Sequence, residues 1–306
     1  MALPRIAIVG AGSVGCYFGG RLAQAGADVT LIGRPAQVEA ITRNGLLFES
    51  GGKTETIRVG ATTEPEGVRD AAIVLICVKS ADTDMATAEV APYLASDAVL
   101  VSLQNGVGNA ERIHAGAHRP VIGGLVYVAV SMPGIGRVRH AGGNRIVIGA
   151  VRDCGATGAL LRDVADAFRA AGVTVDMSAD MDGELWAKLM TNCAYNAICA
   201  LTGKPYGVMG AVPEIRALMR EAADEVIALA HRKGIVIPDE TSASLLAMTE
   251  TMAHQMSSTA QDIARGRRTE IDYLNGFVSR ESAAIGLEAP VNRTLHALVK
   301  LRERAD

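Results

Sequence analysis

RIAIVGAGSVG, residues 5–15, decides the reading of this chain. Ile6, Ala7, Ile8 and Val9 form an apolar run without polar alternation, as a strand buried on both faces requires. Gly10, Ala11, Gly12, Ser13, Val14 and Gly15 follow, and a helical window opens over Val14–Ala25. The first glycine permits a tight turn, the second lets a pyrophosphate approach the backbone, and the third lets helix and strand pack closely. A glycine turn alone is a weak signal. Placed after a strand and before a helix, it predicts a dinucleotide-binding loop with the helix N-terminus facing the phosphates.

Outward from that loop, further apolar runs recur at 27–33, 71–79, 98–106 and 120–130, with helical patterns such as GCYFGGRLAQAG and MATAEVAPYL between several of them. This βαβ rhythm predicts a doubly wound parallel sheet. RVRHAGGNRIVIGAV (137–151) alternates around AGGN and reads as a hairpin at the sheet edge. Beyond about 159 only GVTVDMS (172–178) still reads as a strand. The expected class is therefore α/β: an N-terminal Rossmann-type doubly wound sheet over 1–178 and a C-terminal all-helical domain over 179–306, with a linker at 178–182 as a hinge.

A chain of 306 residues is long enough for two cores. Hydrophobic residues at 49% and charged residues at 21% describe an ordinary folded protein, not a disordered one. A formal net charge of -3 gives no general attraction to nucleic acid or an anionic membrane, and the basic run RGRR (265–268) has no aromatic company, so it reads as an exposed turn. The first residues lack an h-region, and no apolar run reaches the ~20 residues that span a bilayer. Five scattered cysteines read as small buried thiols in a reducing compartment, and no metal-ligand spacing occurs, so the expectation is a cytoplasmic protein without a metal. Nothing excludes a homodimer.

Coenzyme choice is read after the second strand, where an NAD enzyme offers Asp or Glu to the ribose hydroxyls. Here LIGR places Gly33 and Arg34. A small residue followed by a guanidinium leaves room for a 2′-phosphate and supplies a charged partner, which predicts NADP(H). Lys79 and Asn105 end two other strands, where open sheets bind ligands. For Asn105, followed by Gly106, plain turn chemistry is an equal alternative.

In the second half, ELWAKLMTNCAYN (184–196) puts Lys188, Asn192 and Asn196 four residues apart, on one face of a helix. Either this face is solvated, or the row meets a ligand.

GAGSVG, CVKS, LQNGVG, ELWAKLMTNCAYN and SSTAQDIARGRRTEIDYLNG (257–276) occur in an order and spacing that resemble the ketopantoate reductase family, the 2-dehydropantoate 2-reductases, over nearly the whole chain. A lysine and asparagine on one helix are shared with 3-hydroxyacid and 6-phosphogluconate dehydrogenases; TEID with a following NG is much narrower. The resemblance implies NADPH-dependent reduction of a small-molecule 2-keto acid, 2-dehydropantoate to (R)-pantoate on the way to pantothenate and coenzyme A. Carried over, Lys188 is the catalytic acid, and Asn105, Asn192, Asn196 and Ser258 contact substrate. Glu270 and Ala129 lie beside the coenzyme. Read from the residues alone, Thr269 and Asp272 of TEID resemble a capping box starting a helix through DYLNGF.

The chain departs from the family where substrate is bound. Asn196-Ala197 stands for Asn-Pro, Tyr206 occupies the position of a substrate-contacting Asn, and Gln104 replaces a frequent His. In the implied mechanism, hydride reaches the keto carbon and Lys188 protonates the oxygen, across a cleft between the two domains. A D-2-hydroxyacid dehydrogenase of mandelate type would share every motif, so a substrate panel separates it. An NADP-binding regulator is the alternative of another class, and it has no use for a proton donor.

Overall fold

The computed structural model describes residues 3–238 and 244–304. Contacts divide the chain into two compact units, Met1–Met181 and Asp182–Asp306.

The first unit is built on one ten-stranded sheet. Its strands are β1 (Ile6–Val9), β2 (Val29–Ile32), β3 (Leu46–Ser50), β4 (Lys53–Ile57), β5 (Gly60–Thr62), β6 (Ile73–Ile76), β7 (Val99–Ser102), β8 (Val121–Gly134), β9 (Arg137–Ala150) and β10 (Thr174–Ser178). They lie in the order β4-β3-β9-β8-β7-β6-β1-β2-β5, with β10 on β9. The stretch from β8 to β5 is parallel throughout. Helices α1 (Ser13–Gln24), α2 (Pro35–Asn44), α3 (Thr83–Val90), α4 (Asn109–Ala117) and α5 (Gly158–Ala170) connect or cover it.

Apolar runs become these strands because both faces are covered. Ile6, Ile8, Leu31, Leu75 and Val101 join Phe18 of α1 and Phe168 of α5 in one core cluster, while the intervening Ala7, Val74, Ile76 and Leu100 are buried as well. The chain runs from β1 outward to β2 and returns on the other side as β6. The strand order therefore reverses between β1 and β6, the position at which open α/β sheets bind ligands.

Two local readings of the sequence need correction. AGGN is not a hairpin turn. The turn lies at Ile135–Gly136, and Ala141–Asn144 sit inside the 14-residue strand β9, at a register shift opposite Tyr127–Ala129. Gly143 adopts φ +72°, and a side chain there would meet the Tyr127 carbonyl, so the glycines serve a bulge. The hairpin β3–β4 was not anticipated. Its signal is Gly51-Gly52, both at positive φ, between LLFES and KTETI.

In the second unit, every element among the described residues is helical. They are α6 (Met181–Thr202), α7 (Tyr206–Gly210), α8 (Pro213–Arg232), α9 (Ser258–Ile263), α10 (Asn275–Ala284) and α11 (Pro290–Arg302), plus the single helical turn Met248–Thr251 and short 3-10 turns. Only Ala179 and Asp180 separate β10 from α6. Leu185, Trp186, Leu189, Met190, Cys193, Tyr195 and Ile198 of α6 are all buried, which makes it the central helix of this unit. Among the described residues no helix is long and apolar enough to cross a membrane.

Candidate functional site

Gly10 ends β1 at φ +108°, and a Cβ on it would lie 2.7 Å from the Val78 backbone nitrogen, so the loops after β1 and β6 touch at the reversal point. A Cβ on Gly12 would meet nothing within 4 Å; the loop has open space above it. α1 begins with no side-chain cap and no acidic residue in its first turn. Its leading N–H groups and positive dipole end are thus left for an anion, as a pyrophosphate requires. Ala11, Ser13 and Val14 complete the loop at partial burial. Beneath it, burial pushes the Cys16 thiol up to about 12, so it stays protonated there.

At the end of β2, a Cβ on Gly33 would come 2.6 Å from the Cβ of Ala11. The phosphate loop therefore excludes an acidic side chain from the position. Arg34 is exposed as the residue before α2, with no side-chain partner among the described residues.

Lys79 and Asn105 sit on two loops tied together from below by a buried polar network that was not legible in the sequence. Ser80 Oγ donates to the Asn105 carbonyl at 2.9 Å, and Asn109 Nδ2 donates to the same carbonyl at 2.9 Å. Gln104 Nε2 donates to the Val78 carbonyl at 3.0 Å and to Thr83 Oγ1 at 2.8 Å. Ser80, Thr83, Gln104 and Asn109 are all buried. Gln104, at the place of the family's frequent His, thus braces both loops, and Asn105 is exposed above them. Ala129 is exposed on β8 opposite Gly142.

In the second unit α6 carries Lys188, Asn192 and Asn196 in a row, as the spacing predicts. Lys188 is partly buried, and the loss of hydration lowers its ammonium from the ordinary lysine range to about 8. Asn196 is only 3% exposed. Among the described residues neither its carboxamide nor that of Asn192 has a hydrogen-bond partner.

Ser257, buried, is the N-cap of α9: its hydroxyl accepts from the Ala260 N–H at 3.1 Å and donates to the Asn196 carbonyl at 3.3 Å. Ser258, the next residue, is exposed at the first position of the helix. Tyr206 is 6% exposed, its ring centroid 4.6 Å from that of Tyr195, and burial pushes its phenol up. Glu270 is half-buried before the 3-10 turn Ile271–Tyr273. The capping box does not form: the N-cap of the short turn is Glu270, without a side-chain cap bond. Thr269 Oγ1 does accept from the Ile271 N–H at 3.2 Å, but Asp272 turns to His296 at 2.7 Å and Lys300 at 3.0 Å on α11. The helix does not run through DYLNGF either: the chain kinks at Leu274 before α10.

A glycine loop at the reversal point of a parallel sheet, opening a helix, defines a Rossmann-type dinucleotide-binding fold, and the relatives that the chain matches make it an oxidoreductase that uses a nicotinamide cofactor and acts on CH-OH groups. Two family models match, "Ketopantoate reductase PanE/ApbA" over residues 6–153 and "Ketopantoate reductase PanE/ApbA C terminal" over residues 180–303. A 2-dehydropantoate 2-reductase of Archaeoglobus fulgidus is 33% identical over 98% of this chain and 98% of its own. The crystal structure of a PanE/ApbA family ketopantoate reductase from Ralstonia eutropha is 44% identical, covers 98% of this chain and 99% of its own, and superposes with a TM-score of 0.91. The chain belongs to the ketopantoate reductase family. A D-mandelate dehydrogenase with NADH and anilino(oxo)acetate shares the fold, at 24% identity and a TM-score of 0.90, over 98% of this chain and 99% of its own.

Proposed function

We propose that this chain reduces 2-dehydropantoate to (R)-pantoate with NADPH, the first unit holding the coenzyme and the second the 2-keto acid. The observation that carries the reading is the row on α6: an ammonium lowered to about 8 by burial, followed by two carboxamides without partners among the described residues. The nicotinamide supplies a hydride. Lys188 Nζ holds a proton for the oxygen that becomes the hydroxyl, and its depressed pKa makes that proton easier to give at neutral pH. Asn192 and Asn196 donate amide hydrogens to the substrate, and Ser258 offers a hydroxyl. Gly10–Gly15, Lys79, Asn105, Ala129 and Glu270 belong to the coenzyme side in this reading, and Arg34 with Gly33 favours a 2′-phosphate. The free cysteines, four of them buried, suit a cytoplasmic enzyme, and a homodimer is compatible with the fold.

Tyr206 supports a second reading. A buried aromatic residue at a position where the family presents an amide changes the polarity of that region, and a D-2-hydroxyacid dehydrogenase acting on a bulkier keto acid would accommodate it. One experiment decides between them: initial rates of coenzyme oxidation with NADPH and with NADH across a panel of 2-keto acids. 2-Dehydropantoate is expected to give the highest kcat/KM; a clear preference for an aromatic keto acid selects the second reading.

A further inference from the structure

The Asn-Gly pair that closes TEIDYLNG has no part in the chemistry described so far. Asn275 opens α10 and is fully buried. Its Nδ2 donates to the Cys193 carbonyl of α6 at 3.0 Å and to Asn292 Oδ1 at 2.9 Å. Asn292, also fully buried, donates through its own Nδ2 to Glu225 Oε2 at 2.7 Å and to the Ala222 carbonyl at 3.0 Å. Glu225 is fixed in turn by the backbone N–H groups of Val291 and Asn292, at 2.8 and 2.9 Å. A continuous run of hydrogen bonds therefore starts on α8, crosses α11 and α10, and ends on the backbone of α6, one residue past Asn192 and three before Asn196.

This arrangement carries a cost. Asn275 Oδ1 is buried without a hydrogen-bond partner. An apolar residue of similar size would avoid that penalty, on the order of 1–3 kcal/mol, and leave the Cys193 carbonyl with its ordinary bond in the helix ladder. What it could not do is add a directional hold on α6 beside Asn192. Further directional contacts hold α6 toward its C-terminal half, where the Tyr195 hydroxyl donates to the Leu245 carbonyl at 2.7 Å and Ser257 Oγ donates to the Asn196 carbonyl at 3.3 Å; nearer Lys188, Trp186 packs edge-on against Phe277 at 5.9 Å.

We propose that Asn275, backed by Asn292 and Glu225, is a positioning residue that sets the rotation of α6 about its own axis and thereby the aim of Lys188, Asn192 and Asn196. The proposal rests on the reading of that row as the reacting face. A rotation of about 10° displaces a side-chain atom at the helix surface by roughly 1 Å. Misplacement of roughly 1 Å costs on the order of 10²-fold in rate.

The test uses the full chain with NADPH and its best 2-keto acid, comparing wild type with Asn275→Leu, Asn275→Leu/Asn292→Leu, Glu225→Gln and Lys188→Ala for kcat, both KM values, pH profile and Tm. Asn275→Leu should lose roughly 10- to 100-fold in kcat with little change in the KM for NADPH. The double variant removes the stranded amide as well, so its Tm should recover toward wild type while kcat stays low. The alkaline limb of kcat should also move upward as the displaced ammonium regains hydration. Should Asn275→Leu not fold, Glu225→Gln at the half-buried far end carries the test: both carboxylate oxygens accept from N–H groups, so the amide NH2 meets a donor and Tm falls, while kcat should drop roughly threefold or more with its alkaline limb moved upward. Recovery of kcat together with Tm in the double variant, or an unmoved alkaline limb, overturns the proposal in favour of a merely structural role. A fully active Lys188→Ala overturns the reading of the row and this proposal with it; an inactive Lys188→Ala beside a fully active Asn275→Leu overturns the proposal alone.

Discussion

Lys188 is held in α6 at a cost that its chemistry explains. Burial lowers its folded-state pKa to about 8, below the ordinary value of 10.5, so between those limits the unfolded chain binds more protons than the folded one. Stability contributed at this position is therefore poorest below pH 8 and rises as pH climbs toward 10.5. Lys188→Met should raise Tm at pH 7, by roughly 2–8 °C per kcal/mol regained, and the difference from wild type should vanish near pH 10.5 in a thermal melt. The same variant should be nearly inactive. In wild type the reductive kcat should be flat below pH 8 and fall above it as the proton is lost. Lys188→Ala should lower kcat by about 10²–10⁴-fold with NADPH still bound, and Lys188→Arg should rescue little, because guanidinium does not release its proton. Arg34 gives a separate prediction. A charge-assisted hydrogen bond to a phosphate contributes roughly 1.5–3 kcal/mol, so Arg34→Ala should weaken NADPH at least tenfold in a fluorescence titration and leave NADH almost unchanged. Equal binding of the two coenzymes by wild type would remove the basis for both Arg34 and Gly33.

Elements were legible in the sequence where a local period governs them, and obscure where a distant contact does. β1, the glycine loop and α1 follow from RIAIVGAGSVG because strand, turn and helix N-terminus are each encoded within a few residues. The row on α6 follows from helical spacing alone. AGGN misled because a glycine pair inside a strand and one at a hairpin tip look alike until the partner strand is known; here Asn144 instead accepts the Tyr17 hydroxyl at 3.0 Å. Apart from the four-residue bond of Asn109 to the Asn105 carbonyl, the braces below Lys79 and Asn105, and the Asn275 relay, join residues 17 to 82 positions apart, and no local pattern announces them. Asp272 illustrates the same limit. Partial burial opposes its ionisation, but hydrogen bonds from His296 and Lys300 outweigh this and hold the carboxyl at about 2. Its folded pKa lies below the ordinary one, so the stability it contributes is present above about pH 4 and is lost as pH falls toward 2. Asp272 is 23% exposed, so solvent screening reduces the contribution to about 1 kcal/mol or a little more. Asp272→Asn should lower Tm at pH 7 and match wild type near pH 2, as measured by acid titration of the melt.

At the scale of the whole chain, each of the two units has its own apolar core. The core cluster that joins Ile6, Phe18, Leu75, Ile146 and Phe168 lies entirely within residues 6–175, and the second unit surrounds α6 with its own buried set, including Met219, Val226, Leu229, Val278 and Val299. A domain of this size buries enough apolar surface to fold alone. Residues 1–181 should therefore fold as an isolated fragment, with Met181 retained because it packs against Gly149 at the end of β9. If the coenzyme is held chiefly by the first unit, that fragment should bind NADPH. The principal loss would be the contact proposed for Glu270, about 0.5–1.5 kcal/mol for one hydrogen bond, or up to roughly tenfold in affinity. It should show no turnover, since Lys188 lies outside it. Circular dichroism and a fluorescence titration of the fragment check both halves of the expectation. A folded fragment that fails to bind NADPH would mean that the glycine loop, Gly33 and Arg34 do not suffice, and that residues beyond 181 supply most of the coenzyme's binding energy.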